Sequence, residues 1–440
     1  MMLALLFMTG CLGFARKLFG RKWLTNMQVW FLFLFFLMDF IGIHSMWLTD
    51  GEQVQPTLIW VLYLLPTFLL AANVLIPHRR SGLQPLPGGP SMNMECGTGF
   101  VIWVISILGV IFLGIYIREV PHVPLLVALV GSDDVSESRA DSTLWQAGTV
   151  FKYVWLLVVR YSLPLVTLAA FVRSRITNLR WHRLAAWFLI PITYFSLMID
   201  AQKAQVVFFS VQLLIAAMLL RRWRGAAAPP RLRSAGRFVF KVGVVALAFE
   251  CIILMYFSFM KNSHIPGLTF WEAHQSVAEA IFRRVVITQA RPVQVIFDAF
   301  PDQHPYLMGR TFPFADVLGF GSRFDLSEFA FQKIYGVKFG GASTLFVSEF
   351  YADFGPLGCL FSILAFSFAF VWIERRMRAR VMTPEGIVAY SFVTGYVMRL
   401  AITQVIMGLA LPLLAYFIYV QAKHLASKLT IPSPPGHDGP

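Results

Sequence analysis

Runs of apolar residues about twenty long recur along this chain, and each is the length that crosses a bilayer as one helix. Inside hydrocarbon no water satisfies a bare N–H or C=O, so spanning backbone must be helical or close into a barrel. The runs are Met1–Phe14, Met27–Met46, Leu58–Ile76, Thr98–Ile117, Val150–Val172, Leu184–Ile199, Ala204–Leu220, Phe238–Met260, Gly355–Ile373, Glu385–Val397 and Thr403–Gln421. They predict an all-α, polytopic integral membrane protein with about eleven spans. Composition agrees: 14% of residues are charged, against roughly 25% in a soluble domain. That shortfall excludes an ordinary cytosolic enzyme. Met1–Phe14 has its positive charges after it rather than before it, the reverse of a cleaved signal peptide, so it is expected to remain as a first span.

The net charge of +14 does not indicate nucleic acid, because the basic residues cluster at the ends of apolar runs. Arg16 to Lys22, Arg79/Arg80, Arg173 to Arg183, Arg221 to Lys241, Arg375 to Arg380 and Lys423/Lys428 each follow every second run. The loops between are acidic or mixed, with Asp50 and Glu52, then Asp133, Asp134, Glu137 and Asp141. The positive-inside rule then puts the N-terminus outside and the C-terminus in the cytoplasm. The expected domains are a bundle at 1–260, an extracytoplasmic loop at 261–354, three spans at 355–421 and a cytoplasmic tail at 422–440. Ser81–Gly97 and Gly225–Arg237 read as cytoplasmic connectors, the second against the anionic inner leaflet. The four cysteines suggest neither disulfides nor zinc, and no metal site or cofactor is expected.

The long loop holds eight Lys/Arg and nine Asp/Glu. Thr269-Phe270-Trp271-Glu272 reads as a capping box. Apolar residues at helical spacing follow, through Ala278, Ile281, Phe282 and Val285, and Pro292 is expected to end that helix. An amphipathic helix of this kind suits the outer leaflet surface. Arg283, Arg284, Arg291, Arg310, Arg323 and Arg399 run against the expected charge bias outside. Arg284 and Arg291 are seven residues apart and would share a helical face, where two guanidinium forks can clamp a diphosphate. The alternative is a solvated face paired with Glu279 or Asp298. Lys203 sits in a short outer turn, either at the level of a lipid diphosphate or as a snorkelling lysine. Arg160, Asp39 and Glu250 fall inside spans, where an ionisable group faces a cavity or a partner. Glu349 and Asp353 are four residues apart, on one helix face if helical, and His304 lies outside too. Each is a candidate general base; on pattern alone, capping and a membrane-entry turn are the preferred account of the carboxylates, and a surface role that of the histidine.

Several separated stretches resemble one family. They are Ala201-Gln202-Lys203-Ala204; Ala280-Ile281-Phe282-Arg283-Arg284; Tyr306-Leu307-Met308-Gly309-Arg310-Thr311; Gly340-Gly341-Ala342-Ser343 with Glu349 through Gly358; and Arg399 between the last two spans. Together with the loop ahead of three final spans, they resemble the oligosaccharide repeat-unit polymerases, Wzy-type O-antigen polymerases, which are relatives of the O-antigen ligases. Asp200-Ala201-Gln202 departs from the small-residue pair that often precedes the family's basic residue.

The resemblance implies a glycosyltransferase in the bacterial inner membrane. It would polymerise undecaprenyl-diphosphate-linked oligosaccharide repeat units at the periplasmic face, beside a chain-length regulator. Lys203, Arg283, Arg284, Arg291, Arg310 and Arg399 would hold the diphosphate; Glu349, Asp353 or His304 would serve the acceptor hydroxyl. An O-antigen ligase is the nearest alternative. A flippase or transporter is the alternative of another class, though neither paired halves nor matching broken helices are visible.

Overall fold

The structure, a computed structural model, describes residues 2–49, 53–76, 92–120, 122–130, 154–177, 179–199, 203–224, 283–312, 315, 318–336, 341–342, 344–380, 383–401 and 405–429. Among them the chain is all-helical, with no strand. Six helices are long and apolar enough to cross a membrane, as a multi-pass membrane protein requires: Met2–Phe19, Met27–Leu48, Pro56–Leu75, Thr98–Glu119, Leu156–Ile176 and Phe346–Arg378. Gln205–Arg221 is a shorter apolar helix. The run Phe238–Met260 with Glu250, the Thr269–Glu272 box, and the side chains of Lys203 and Arg284 lie outside the described residues.

The helices are α1 (Met2–Phe19), α2 (Met27–Phe35), α3 (Ile41–Thr49), α4 (Pro56–Leu75), α5 (Met92–Glu119), α6 (Pro124–Val130) and α7 (Leu163–Ile176). Then come α8 (Arg180–Met198), α9 (Lys203–Arg224), α10 (Thr288–Ala299), α11 (Leu326–Tyr335), α12 (Phe346–Arg380), α13 (Pro384–Arg399) and α14 (Val405–Leu429). Three π-wound turns, Phe36–Phe40, Leu156–Ser162 and Arg283–Ile287, feed α3, α7 and α10.

Contacts divide the chain into two interleaved units. The first is Met1–Arg79, Lys241–Arg378 and Thr394–Leu409; the second is Arg80–Phe240, Ala379–Val393 and Ala410–Pro440. In the first unit, polar residues mark both ends of the helices. At one end Gln28 of α2 donates to Glu374 of α12 at 3.2 Å and to Asn73 of α4 at 3.3 Å. Arg375 donates to the carbonyls of Ile76 and Asn73, the latter at 2.7 Å, and so caps the C-terminus of α4. At the other end the Tyr351 hydroxyl, near the start of α12, donates to the Phe300 carbonyl at 2.8 Å and to Gln55, just ahead of α4, at 3.4 Å. Thus α4 and α12 run one way and α2 the other, the alternation that the loop charges call for.

The second unit has a charged end and an aromatic end. Glu385 accepts from Arg173 at 2.5 Å and from Lys423 at 2.6 Å, joining α7, α13 and α14. Elsewhere Tyr116 stacks on Trp155 at 5.1 Å within a cluster of Leu113, Val120, Val123, Val159 and Ile199.

Two expectations need correction. The connector 81–97 is shorter than its composition suggested, because α5 already begins at Met92. The loop helix does not stop at Pro292, which lies inside α10. Proline's ring crowds the carbonyl four residues back; that residue, Thr288, is the first of α10, directly after a π-turn that ends at Ile287, so Pro292 sits near the start of a new α-helical stretch. The same turn changes the register between positions 284 and 291. Five residues per hydrogen-bonded ring replace four, so their seven-residue spacing no longer repeats one angular position.

Candidate functional site

Two of the sequence candidates of the first unit, Glu349 and Asp353, lie where the loop meets the start of α12. Leu307 and Met308 donate backbone N–H groups to the carbonyls of Ala352 and Asp353, at 2.9 and 3.2 Å. This short ladder lays the stretch 306–311 along the first turns of α12. Asp353 then organises the turn through its side chain. Its carboxylate accepts from the Thr311 hydroxyl and, at 3.3 Å, from the Thr311 N–H. The N–H groups of Gly309 and Arg310 face it as well. Asp353 is 0% exposed, so a carboxylate there needs these donors to offset its burial.

Just beyond, Gly355 takes φ +65° and ψ −154°, outside the helical region, and α12 is kinked there into two helices. A Cβ there would sit 2.7 Å from the Tyr306 ring, so glycine answers both the backbone angle and the close approach. Tyr351 fills the interior, its ring stacked on Phe297 of α10 at 4.1 Å and 10°.

Glu349 lies one turn earlier on α12, 5% exposed. The α12 start is tied to the turn after α13, since Phe346 donates its N–H to the Leu400 carbonyl at 3.4 Å. Arg399 immediately precedes Leu400, buried, with its guanidinium carbon 4.4 Å from the centroid of the Tyr396 ring. The start of α12 thus carries Glu349 and Asp353, and its first residue is tied to the residue that follows Arg399. No family model, curated protein or solved structure matches this chain.

The other candidates fall at varying distances from this junction. Arg310 holds its own loop closed, donating to the Ser322 carbonyl at 3.0 Å and hydroxyl at 3.2 Å. His304 is half-buried among Phe300, Phe324 and Phe329, edge-on to the last at 5.1 Å. Arg323 lies 3.9 Å from Asp325. Arg283 and Arg291 are exposed, on the π-turn and on α10. That π-turn packs against the one carrying Asp39, whose buried carboxyl oxygens have no hydrogen-bond partner among the described residues. Lys203 opens α9 in the second unit. Arg160 belongs to the second unit too, buried in its π-turn with the guanidinium carbon 5.3 Å from the centroid of the Trp155 ring.

Among the described residues no group of His, Cys, Asp and Glu is arranged to hold a metal. Two residues at the junction had been passed over. Thr311 stood in a quoted motif without a role, and its spacing to Asp353 across the loop carries no local signal. Tyr351 likewise stood in a quoted stretch, Glu349 through Gly358, without a role of its own.

Proposed function

We propose that this chain is a glycosyltransferase of the bacterial inner membrane that polymerises undecaprenyl-diphosphate-linked repeat units on the periplasmic side. Eleven spans, an outer N-terminus and an inner C-terminus belong to this reading. The observation that supports it is the start of α12, where two buried carboxyl groups and a hydrogen-bonded loop lie together and Phe346 is tied to the residue after Arg399.

The chemistry asked of it is one displacement. A hydroxyl of the acceptor repeat unit attacks the anomeric carbon of the growing, carrier-linked chain. A glycosidic C–O bond forms, the bond from that carbon to the diphosphate oxygen breaks, and polyprenyl diphosphate leaves with the electron pair. Glu349 takes the hydroxyl proton. Asp353, already filled by donors, is a positioning residue that fixes the 306–311 turn. Arg399, aided by Arg283, Arg291 and Arg310 of the loop, offsets charge growing on the leaving diphosphate.

The test is the lipid-linked sugar profile of cells that lack the protein. A polymerase loss leaves single repeat units outside; a ligase loss leaves long chains on the carrier, and a flippase loss leaves units inside. In a complemented strain, Arg399→Ala is expected to cut long polymer at least about tenfold, the effect of losing roughly 1.4 kcal/mol or more of transition-state stabilisation, at unchanged protein level. Full-length polymer from that variant would remove Arg399 from the mechanism.

A further inference from the structure

We propose that Met308, Leu318 and Phe320 form an apolar tip that dips into the outer leaflet of the bilayer. The proposal rests on the chain's spanning a membrane with the orientation proposed above, and not on the transfer reaction. Met308 is 63% exposed, Leu318 60% and Phe320 44%. Scattered exposed apolar residues are ordinary; here Phe320 is held beside Met308, and Leu318 stands two residues from Phe320. The Phe320 ring lies against Gly309, whose added Cβ would stand 3.1 Å from it, so Phe320 covers the backbone next to Met308.

The loop is fastened in that shape. Phe320 donates its N–H to the Ala315 carbonyl at 2.9 Å, and Phe324 donates to the Arg310 carbonyl at 2.8 Å. The Arg310 side chain closes the same neck on Ser322. A fastened loop that still leaves three large apolar side chains outside its own core has a partner for them.

The position says which partner. The ladder from Leu307 and Met308 to Ala352 and Asp353 ends one residue before Phe354. Phe354, Leu357, Phe361, Phe368 and Trp372 form the exposed apolar stripe of the membrane helix α12. The Phe312 ring touches Phe354 at 6.4 Å and Phe350 at 6.0 Å, so the loop sits on the upper end of that stripe and extends it. Behind the tip come Arg310, Ser322, Arg323 and Asp325, polar groups at the neck. Apolar tip and charged neck are the pattern of a segment lying in the interface, with guanidinium groups at headgroup level.

Nitroxide labels at Leu318→Cys and Phe320→Cys, with the native cysteines replaced by alanine, test this in nanodiscs of phosphatidylethanolamine and phosphatidylglycerol. Glu328→Cys, on the exposed face of α11, is the aqueous control; native-like circular dichroism and elution qualify each variant. Both tip labels are expected to collide several-fold more with oxygen, relative to a nickel chelate, than the control does. Ratios equal to the control would overturn the proposal. So would labels shielded from both reagents that respond only when undecaprenyl phosphate is added, which would make the patch a carrier pocket.

Discussion

At Asp353, a hydroxyl and a set of backbone N–H groups converge on one buried carboxylate, and the loop's conformation depends on them. Thr311→Val keeps the shape but deletes the hydroxyl donor. A hydrogen bond to a charged group contributes about 1.5–3 kcal/mol, so the unfolding midpoint in detergent should fall, and Thr311→Ser should restore it. An unchanged midpoint for Thr311→Val would show that the turn holds without Asp353. The two carboxylates were readable as a pair, because four-residue spacing puts side chains on one face of a helix. Their difference was not readable. Which of them is filled by donors depends on a turn more than forty residues earlier.

Among the elements, two glycines do work that a hydropathy profile does not record. At Gly42 on α3, an added Cβ would meet the Ala290 Cβ at 2.5 Å and the Val286 carbonyl oxygen at 2.7 Å. The loop helix α10 therefore packs on the second apolar run at backbone distance. Gly42→Val should push it off, at a cost of about 1–3 kcal/mol for an overpacked contact. Hydrogen exchange would show this as faster exchange across 286–299, with little change in α12. Gly355→Ala combines an unfavourable φ with a clash against Tyr306. It should lower the unfolding midpoint relative to the wild-type protein. Replacing Tyr306 by Ala as well should then recover part of the loss, which separates ring contact from backbone strain.

The helices themselves were legible because twenty apolar residues have few other ways to fold. The π-turns were not, although each carries an ionisable residue that the sequence had singled out: Asp39, Arg160 and Arg283. A charge inside an apolar run announces that something is unusual there; it does not announce one extra residue per turn. Pro292 misled for a related reason. Proline ends a regular α-helix, and the turn preceding it is not regular.

For the whole molecule, charge alternation predicts the directions of the helices; within the first unit the polar contacts at both ends run α4 and α12 one way and α2 the other. The division into two interleaved units was hidden, since each draws on three separated stretches and nothing local marks which stretch joins which. Glu349 and Arg399, fifty residues apart in sequence, both fall in the first unit by that interleaving. The most direct test is transfer by the purified chain. Reconstituted in liposomes with lipid-linked repeat units from the strain lacking it, it should release undecaprenyl diphosphate and build a ladder of longer glycans without nucleotide or added protein. Glu349→Gln and Arg399→Ala should abolish the ladder while leaving the liposome content of protein unchanged. Units that stay single in the presence of wild-type protein, or that move only onto added lipid A–core, would contradict the polymerase assignment.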